Sequence, residues 1–261
     1  MLHIFLTSSP TGPLDGSRQV AGIDKWNGFA YRLHSVWPDN ARCLMIASDP
    51  ADFGMMDEMT GFFWHTWLEE GFSMACMDKL DNRFGCADGL KAQISKEELQ
   101  AYDVLFLAGG HVPTQNAFFH QLQLREKLAG FQGIIIGISA GSMNSSDVVY
   151  IQPEEPGEAC SPDFCRWGTG LGLTGWMLSP HYQMVQDKIL DGQRLYPDIT
   201  LPDIEGKELL LLNDGSYLHI RKAAADGPVQ KVSLYGESYL ISQGKLQGLC
   251  EHEAVLELTA K

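Results

Sequence analysis

The sequence predicts an α/β fold: an open, mostly parallel sheet with helices on both faces, followed by additional antiparallel strands towards the C-terminus. Three observations predict it. Short, largely apolar runs at residues 2–6, 42–48, 103–107 and 133–136 alternate with helix-like stretches, the pattern of βαβ units. The run Gly133-Ile134-Ile135-Ile136 carries apolar β-branched residues at successive positions, and so on both sides of a strand, as a strand sandwiched between helices requires. Beyond residue 150 the alternation fades into short strands punctuated by Asn213-Asp214-Gly215, Asp226-Gly227 and Gly236-Glu237, the turn chemistry of antiparallel hairpins.

Taken in order, residues 2–6 form a first strand that ends in a loop, Thr7-Ser8-Ser9-Pro10-Thr11-Gly12. Residues 42–48 repeat the pattern and stop at Asp49-Pro50. The aromatic-rich stretch 60–70 has helical spacing, closes at Gly71 and leads into a strand over 72–77. Ser95-Lys96-Glu97-Glu98 has capping-box spacing, in which hydroxyl and carboxylate each satisfy a free backbone amide, so a short helix starts there. The strand at 103–107 ends at Gly109-Gly110, and a helix over 114–128 closes at Gly130. Residues 152–168, rich in Pro, Glu, Gly and Cys, read as a loop. Strands follow at 208–212, 217–220, 229–234 and 238–241. With no repeat and no low-complexity linker, residues 1–261 are expected to form one domain.

Composition narrows the partners. Hydrophobic residues make up 44% and charged residues 20%, enough apolar side chain to bury a two-faced sheet. Lys and Arg number 19 against 33 Asp and Glu, and a formal charge of −14 repels phosphate backbones and anionic membranes, so neither nucleic acid nor a membrane is an expected partner. The short basic clusters at 125–127 and 221–222 read as solvated surface. Residues 1–10 carry too short an apolar run for a signal segment or a spanning helix, so the cytoplasm is the expected location. The six cysteines (Cys43, Cys76, Cys86, Cys160, Cys165, Cys250) read as free thiols. Cys160 and Cys165 lack a second Cys/His pair to complete four ligands, so no metal or cofactor is expected.

The strongest chemical signal is Gly137-Ile138-Ser139-Ala140-Gly141, directly after a strand and before a helix. This is the setting of a nucleophile elbow: glycines clear a sharp turn and the Ser hydroxyl projects from the strand's carboxyl end. The plainer alternative is a glycine-rich turn that packs a helix onto the sheet. A nucleophile of this kind needs backbone amides aimed at the developing oxyanion. Ala140 supplies one, and a second comes from Ala108-Gly109-Gly110-His111 at the tip of the preceding strand. His181, in Leu178-Ser179-Pro180-His181-Tyr182, is the best-placed base, because Pro180 holds it at a strand end. His111, beside the glycine pair, competes for that role or contacts substrate together with Gly109. His3, His34, His65, His120, His219 and His252 read as surface or satisfied core residues. Two carboxylates compete to orient the base: Glu154, after the elbow helix, and Asp214, in a turn it could equally form by capping its own backbone.

Ala-Gly-Gly-His-Val-Pro-Thr-Gln-Asn (108–116), Gly-Ile-Ser-Ala-Gly-Ser (137–142) and Ser-Pro-His-Tyr (179–182) together resemble the peptidase E-like serine peptidases, which include aspartyl dipeptidase and cyanophycinase. The resemblance spans roughly residues 40–220 and implies the class I glutamine amidotransferase-like fold. It also implies Ser139 as nucleophile, His181 as base and the amides of Gly110 and Ala140 as oxyanion hole. Glu154 is the acid by its place after the elbow, whereas Asp214 fits the order found in the related amidotransferases. Cyanophycinase-like members tend to have Asp where this chain has Ser179, and no arginine stands out as a partner for an aspartyl side chain. The elbow holds Ser rather than Cys, which argues against glutamine hydrolysis. The expected activity is hydrolysis of short peptides or related amides through an acyl-enzyme, with a small peptide as partner and a homodimer left open. The alternatives are a non-catalytic binding module of the same fold and an α/β-hydrolase-type esterase, for which His252 is the one late histidine.

Overall fold

The computed structural model describes residues 1–11, 22–25, 27–84 and 92–261. Gly12 and Cys86, placed in a loop and among the free thiols by the sequence, lie outside the described residues. The first half of the chain alternates strands and helices: β1 (Leu2–Thr7), α1 (Phe29–His34), β2 (Ala41–Ile46), α2 (Phe53–Glu69), β3 (Met74–Leu80), α3 (Lys96–Gln100), β4 (Val104–Leu107), α4 (Val112–Leu122), α5 (Leu124–Lys127), β5 (Gly133–Ile138) and α6 (Ala140–Met143). The five strands pair in the order β3-β2-β4-β5-β1, every pairing parallel, so their carboxyl ends share one edge. In β4 and β5 successive residues are buried, and since neighbours point to opposite faces both faces of these strands are covered.

The second half adds short elements: β6 (Val148–Tyr150) paired with β7 (Trp167–Thr169), then β8 (Leu178–Ser179), α7 (Tyr182–Val185), β9 (Ile189–Leu190) paired with β10 (Gln193–Arg194), a π-helical turn (Leu195–Thr200) and α8 (Leu201–Asp203). The strands β11 (Glu208–Leu212), β12 (Tyr217–Lys222), β13 (Val229–Tyr235), β14 (Ser238–Ser242), β15 (Lys245–Cys250) and β16 (Val255–Leu258) complete it. These C-terminal strands are mostly antiparallel, but they divide between two sheets. β12, β13 and β16 extend the parallel sheet beyond β1 to make eight strands, while β11, β14 and β15 join β8 in a second sheet of four. Within the second sheet β8 runs parallel to β11. The chain therefore changes sheets in the 213–216 turn, which lands at the carboxyl end of β1, where Thr7 pairs with Tyr217 and the Ser8 amide donates to the Ser216 carbonyl at 3.1 Å.

Helix positions follow local chemistry. α2 begins well before residue 60 because the Asp52 carboxylate caps it, accepting from the Met55 amide at 2.9 Å. It buries Phe63 and Trp67 against Phe106, with ring centroids 5.6 and 5.7 Å apart, an aromatic cluster in which truncating one ring costs about 3–5 kcal/mol. The capping box of Ser95 and Glu98 forms as its spacing indicates. The single helix expected over 114–128 is instead broken at Gln123, which takes a left-handed conformation (φ 52°) between α4 and α5. Among the described residues no helix is long and apolar enough to cross a membrane.

Two glycine substitutions test this packing in opposite directions. A Cβ on Gly141 would lie 2.2 Å from the Leu107 carbonyl oxygen, so Gly141→Ala is expected to destabilise by about 1–3 kcal/mol through forced backbone separation. Gly61, inside α2, has nothing within 4 Å of the added atom, so Gly61→Ala is expected to stabilise by about 0.5–1 kcal/mol. Thermal denaturation of the two variants should move Tm down and up respectively.

Candidate active site

Ser139 sits between the last residue of β5 and the first of α6, with φ 50° and ψ −110°. A non-glycine residue rarely holds a positive φ, and the geometry persists only where surroundings over-determine it. Here its amide donates to the Thr7 carbonyl (3.1 Å), and its carbonyl accepts from the amides of Ser142 (2.9 Å) and Met143 (3.1 Å). The flanking glycines are required by close approach: a Cβ on Gly137 would meet Ser142 Oγ at 2.9 Å and Leu6 at 3.0 Å. Thr7 Oγ1 donates to the Gly137 carbonyl and Ser142 Oγ to the Thr7 carbonyl, each at 2.8 Å, which fastens the turn to β1.

His181 follows Pro180 at the carboxyl end of β8 and also has a positive φ (58°). Its Nε2 lies 3.0 Å from Ser139 Oγ and its Nδ1 lies 2.6 Å from Asp214 Oδ1. An ionised carboxylate can only accept, so Nδ1 carries the proton and the Nε2 lone pair faces the Ser139 hydroxyl. Asp214 reaches the ring because β11 runs parallel to β8 and ends beside it; its side chain is 7% exposed. Burial alone would raise its carboxyl pKa, but the His181 contact together with hydrogen bonds from Ser8 and Gln183 holds it below the usual carboxylate range.

Ser8, which the sequence places only in a loop, joins both partners. Its buried Oγ accepts from the His181 amide at 2.8 Å and donates to Asp214 Oδ1 at 2.7 Å. A hydroxyl at the carboxyl end of a parallel strand, where open sheets gather their ligands, was the available signal.

The glycine pair lies opposite. Gly110 has φ 147°, and a Cβ there would fall 2.3 Å from Ser48 Oγ, so this position accepts no side chain. A Cβ on Gly109 would be 3.5 Å from that of Ser139, which puts the pair against the hydroxyl. Among the described residues, neither the Gly110 amide nor the Ala140 amide donates to a protein group. His111 is engaged elsewhere: Nδ1 meets Thr114 Oγ1 at 2.7 Å and Nε2 meets Glu158 Oε1 at 3.1 Å. Glu158 Oε2 in turn accepts from the amides of Glu154 and Glu155 at 2.8 and 2.9 Å, tying down the loop that the sequence placed at 152–168.

Of the two carboxylates left open by the sequence, Asp214 is the one bonded to His181. Glu154 makes no such contact; it is half-buried in the wall of a cavity of about 230 Å³ shared with Ser139, Met143, His181, Val185 and Lys188. His252 lines a separate cavity of about 380 Å³ bordered by the 213–216 turn, away from Ser139. The remaining histidines are placed structurally: His3 and His219 pair at 3.0 Å, His34 stacks on Phe72, His120 bonds the Thr169 carbonyl, and His65 is exposed.

No protein-family model matches the chain, and no curated protein matches it. Among solved structures it is similar to a crystal structure of a peptidase from an acI-B1 actinobacterium, with a TM-score of 0.60, 11% sequence identity, and 98% of this chain and 96% of that chain covered. The two share a fold over nearly their whole lengths.

The hydrogen bonds around Asp214 carry a pH signature. Its folded-state pKa is depressed below the ordinary 3.8, so its ionised form contributes stability above that value and loses it as pH falls through the folded pKa. The stability difference between wild type and Asp214→Asn, from urea titrations, is expected to shrink between about pH 5 and pH 2; an unchanging difference would contradict this. Ser8→Ala is expected to cost about 1–3 kcal/mol, since it strips a partner from the partly buried His181 amide and from the buried Asp214 carboxylate, and to raise the Asp214 carboxyl pKa measured by carbon-13 NMR.

Proposed function

We propose that this protein is a serine peptidase of the peptidase E-like kind, with the class I glutamine amidotransferase-like fold, hydrolysing short peptides or related amides through an acyl-enzyme. The observation that carries the reading is the unbroken hydrogen-bonded chain from Ser139 Oγ through the His181 ring to Asp214. The motifs at 108–116, 137–142 and 179–182 support it, as does a fold shared with a peptidase.

A Ser hydroxyl is a weak nucleophile at neutral pH. As its oxygen attacks the substrate carbonyl carbon, His181 Nε2 takes the hydroxyl proton, and Asp214 holds the ring in the tautomer that allows this and stabilises the imidazolium formed. Negative charge then gathers on the carbonyl oxygen, where the amides of Gly110 and Ala140 serve as donors. His181 returns the proton to the leaving amine, and the amine departs. A water molecule, deprotonated by the same ring, then attacks the acyl carbon; the bond from that carbon to Ser139 Oγ breaks, the imidazolium returns its proton to Oγ, and the carboxylic acid product leaves. His111, already bonded to Thr114 and Glu158, acts as a fixed wall beside the glycine pair rather than as a base.

A fluorophosphonate probe with peptide mapping, alongside a dipeptide-library digest, tests this reading. Wild type is expected to be labelled at Ser139 and to release amino acids, and Ser139→Ala to do neither. Asp214→Asn is expected to lower kcat by roughly 10³- to 10⁴-fold, the effect of losing the correct imidazole tautomer. A wild type inert to both probe and peptides would defeat the reading.

A further inference from the structure

Glu154 is a carboxylate that the hydrolytic chain does not use, and its surroundings are those of a binding group. Its backbone is fixed on both sides: the amide donates to Glu158 Oε2 at 2.8 Å, and the carbonyl accepts from Lys188 Nζ at 2.8 Å. Its carboxylate, by contrast, makes no hydrogen bond or ion pair with any described residue. Asp214 and Glu158 are both satisfied by protein donors, and Glu155, the other acid in the cavity wall, is exposed to solvent. Removing a carboxylate from water is costly unless a donor or cation replaces the water, and burial here pushes the Glu154 carboxyl above its ordinary pKa, against the pull of His111, Lys188 and His181. The carboxylate therefore stands half-buried on a fixed backbone, without a protein partner, in the same small cavity as the hydroxyl at 139 and the ring at 181.

We infer that Glu154 receives an ammonium group of the substrate, supplied by the free amino terminus of a peptide or by a lysyl side chain. This rests on the reading of Ser139 as the nucleophile of an amide hydrolase. Charge favours it: the described residues lining the cavity include two carboxylates, Glu154 and Glu155, and one ammonium, Lys188, which already donates to a carbonyl. No arginine is among them, and Ser179 spends its hydroxyl on Tyr196 at 3.0 Å. Size favours it too: about 230 Å³ is below the roughly 300–1,000 Å³ of pockets for drug-sized ligands, so the cavity admits the end of a peptide or one side chain. Met143, Val185 and Leu195 supply an apolar lining that strengthens the pairing of opposite charges by excluding water.

Three probes separate the sources: Ala-Ala-amide, its N-acetyl form, and N-acetyl-Lys-Ala-amide. Binding to Ser139→Ala is measured by calorimetry and turnover by wild type is measured in parallel. At least one ammonium-bearing probe is expected to bind about 10- to 100-fold more tightly than N-acetyl-Ala-Ala-amide, the scale of one charge-assisted hydrogen bond. That ratio is expected to collapse towards one when Glu154→Gln is added. Preference for the first probe assigns the amino terminus, and preference for the third assigns the side chain. Equal binding of all three, no binding of any, or a ratio unchanged by Glu154→Gln overturns the inference. Selective binding without turnover by wild type would keep the ammonium site and remove the peptidase reading; turnover indifferent to the ammonium would do the reverse.

Discussion

The contact between Asp214 and His181 is the constraint around which the second half of the molecule is arranged. At 2.6 Å it joins residues 33 positions apart that lie at the ends of adjacent strands. β8 has only two residues, so by itself it could not hold a histidine in a defined place. Its parallel pairing with β11 does so, and the turn that leaves β11 for the parallel sheet delivers the carboxylate to the same spot. The change of sheets that looks like an irregularity of topology is what brings this carboxylate and this imidazole together.

Backbone strain on either side of that contact is balanced by one short segment. Ser139 and His181 both hold positive φ angles, a conformation that costs of order 1–3 kcal/mol for such residues. Thr7 and Ser8, at the carboxyl end of β1, bond to both: the Thr7 carbonyl takes the Ser139 amide, and Ser8 Oγ takes the His181 amide. Because β1 lies between β5 and β12, it can reach the elbow from one side and the 213–216 turn from the other. The central strand thus supplies the rigidity that a hydrogen-bonded chain of three side chains needs if its distances are to be held.

Much of this was legible in the amino-acid sequence, for local reasons. Unbroken apolar runs exposed the parallel strands, and the spacing of Gly137, Ser139 and Gly141 after one of them exposed the elbow, because the steric demand for glycine is written at the positions themselves. The choice between Glu154 and Asp214 was not legible, since it depends on a pairing between β8 and β11 that no local pattern encodes. Ser8 was hidden for the same reason: in Thr-Ser-Ser-Pro a hydroxyl has an ordinary local use, and its partners lie 173 and 206 residues away. Turn signals located four of the C-terminal strands, β11 to β14, but not β15 and β16, and could not apportion them between two sheets, because alternation reports which residues face inward and not against which neighbour. Gln123 broke an expected helix although nothing in its residue type demands a left-handed conformation.

The direction of one hydrogen bond decides what this site can do: the imidazole at 181 donates its Nδ1–H to the carboxylate at 214 and leaves Nε2 unprotonated towards the hydroxyl at 139. Nitrogen-15 NMR of histidine-labelled protein, at a pH where the ring is neutral, reads this directly. Nδ1 is expected to carry the proton, with a strongly downfield proton resonance that disappears in Asp214→Asn, while Nε2 shows the shift of an unprotonated nitrogen. A proton found on Nε2 in the neutral ring would leave no base facing the hydroxyl and would contradict the account.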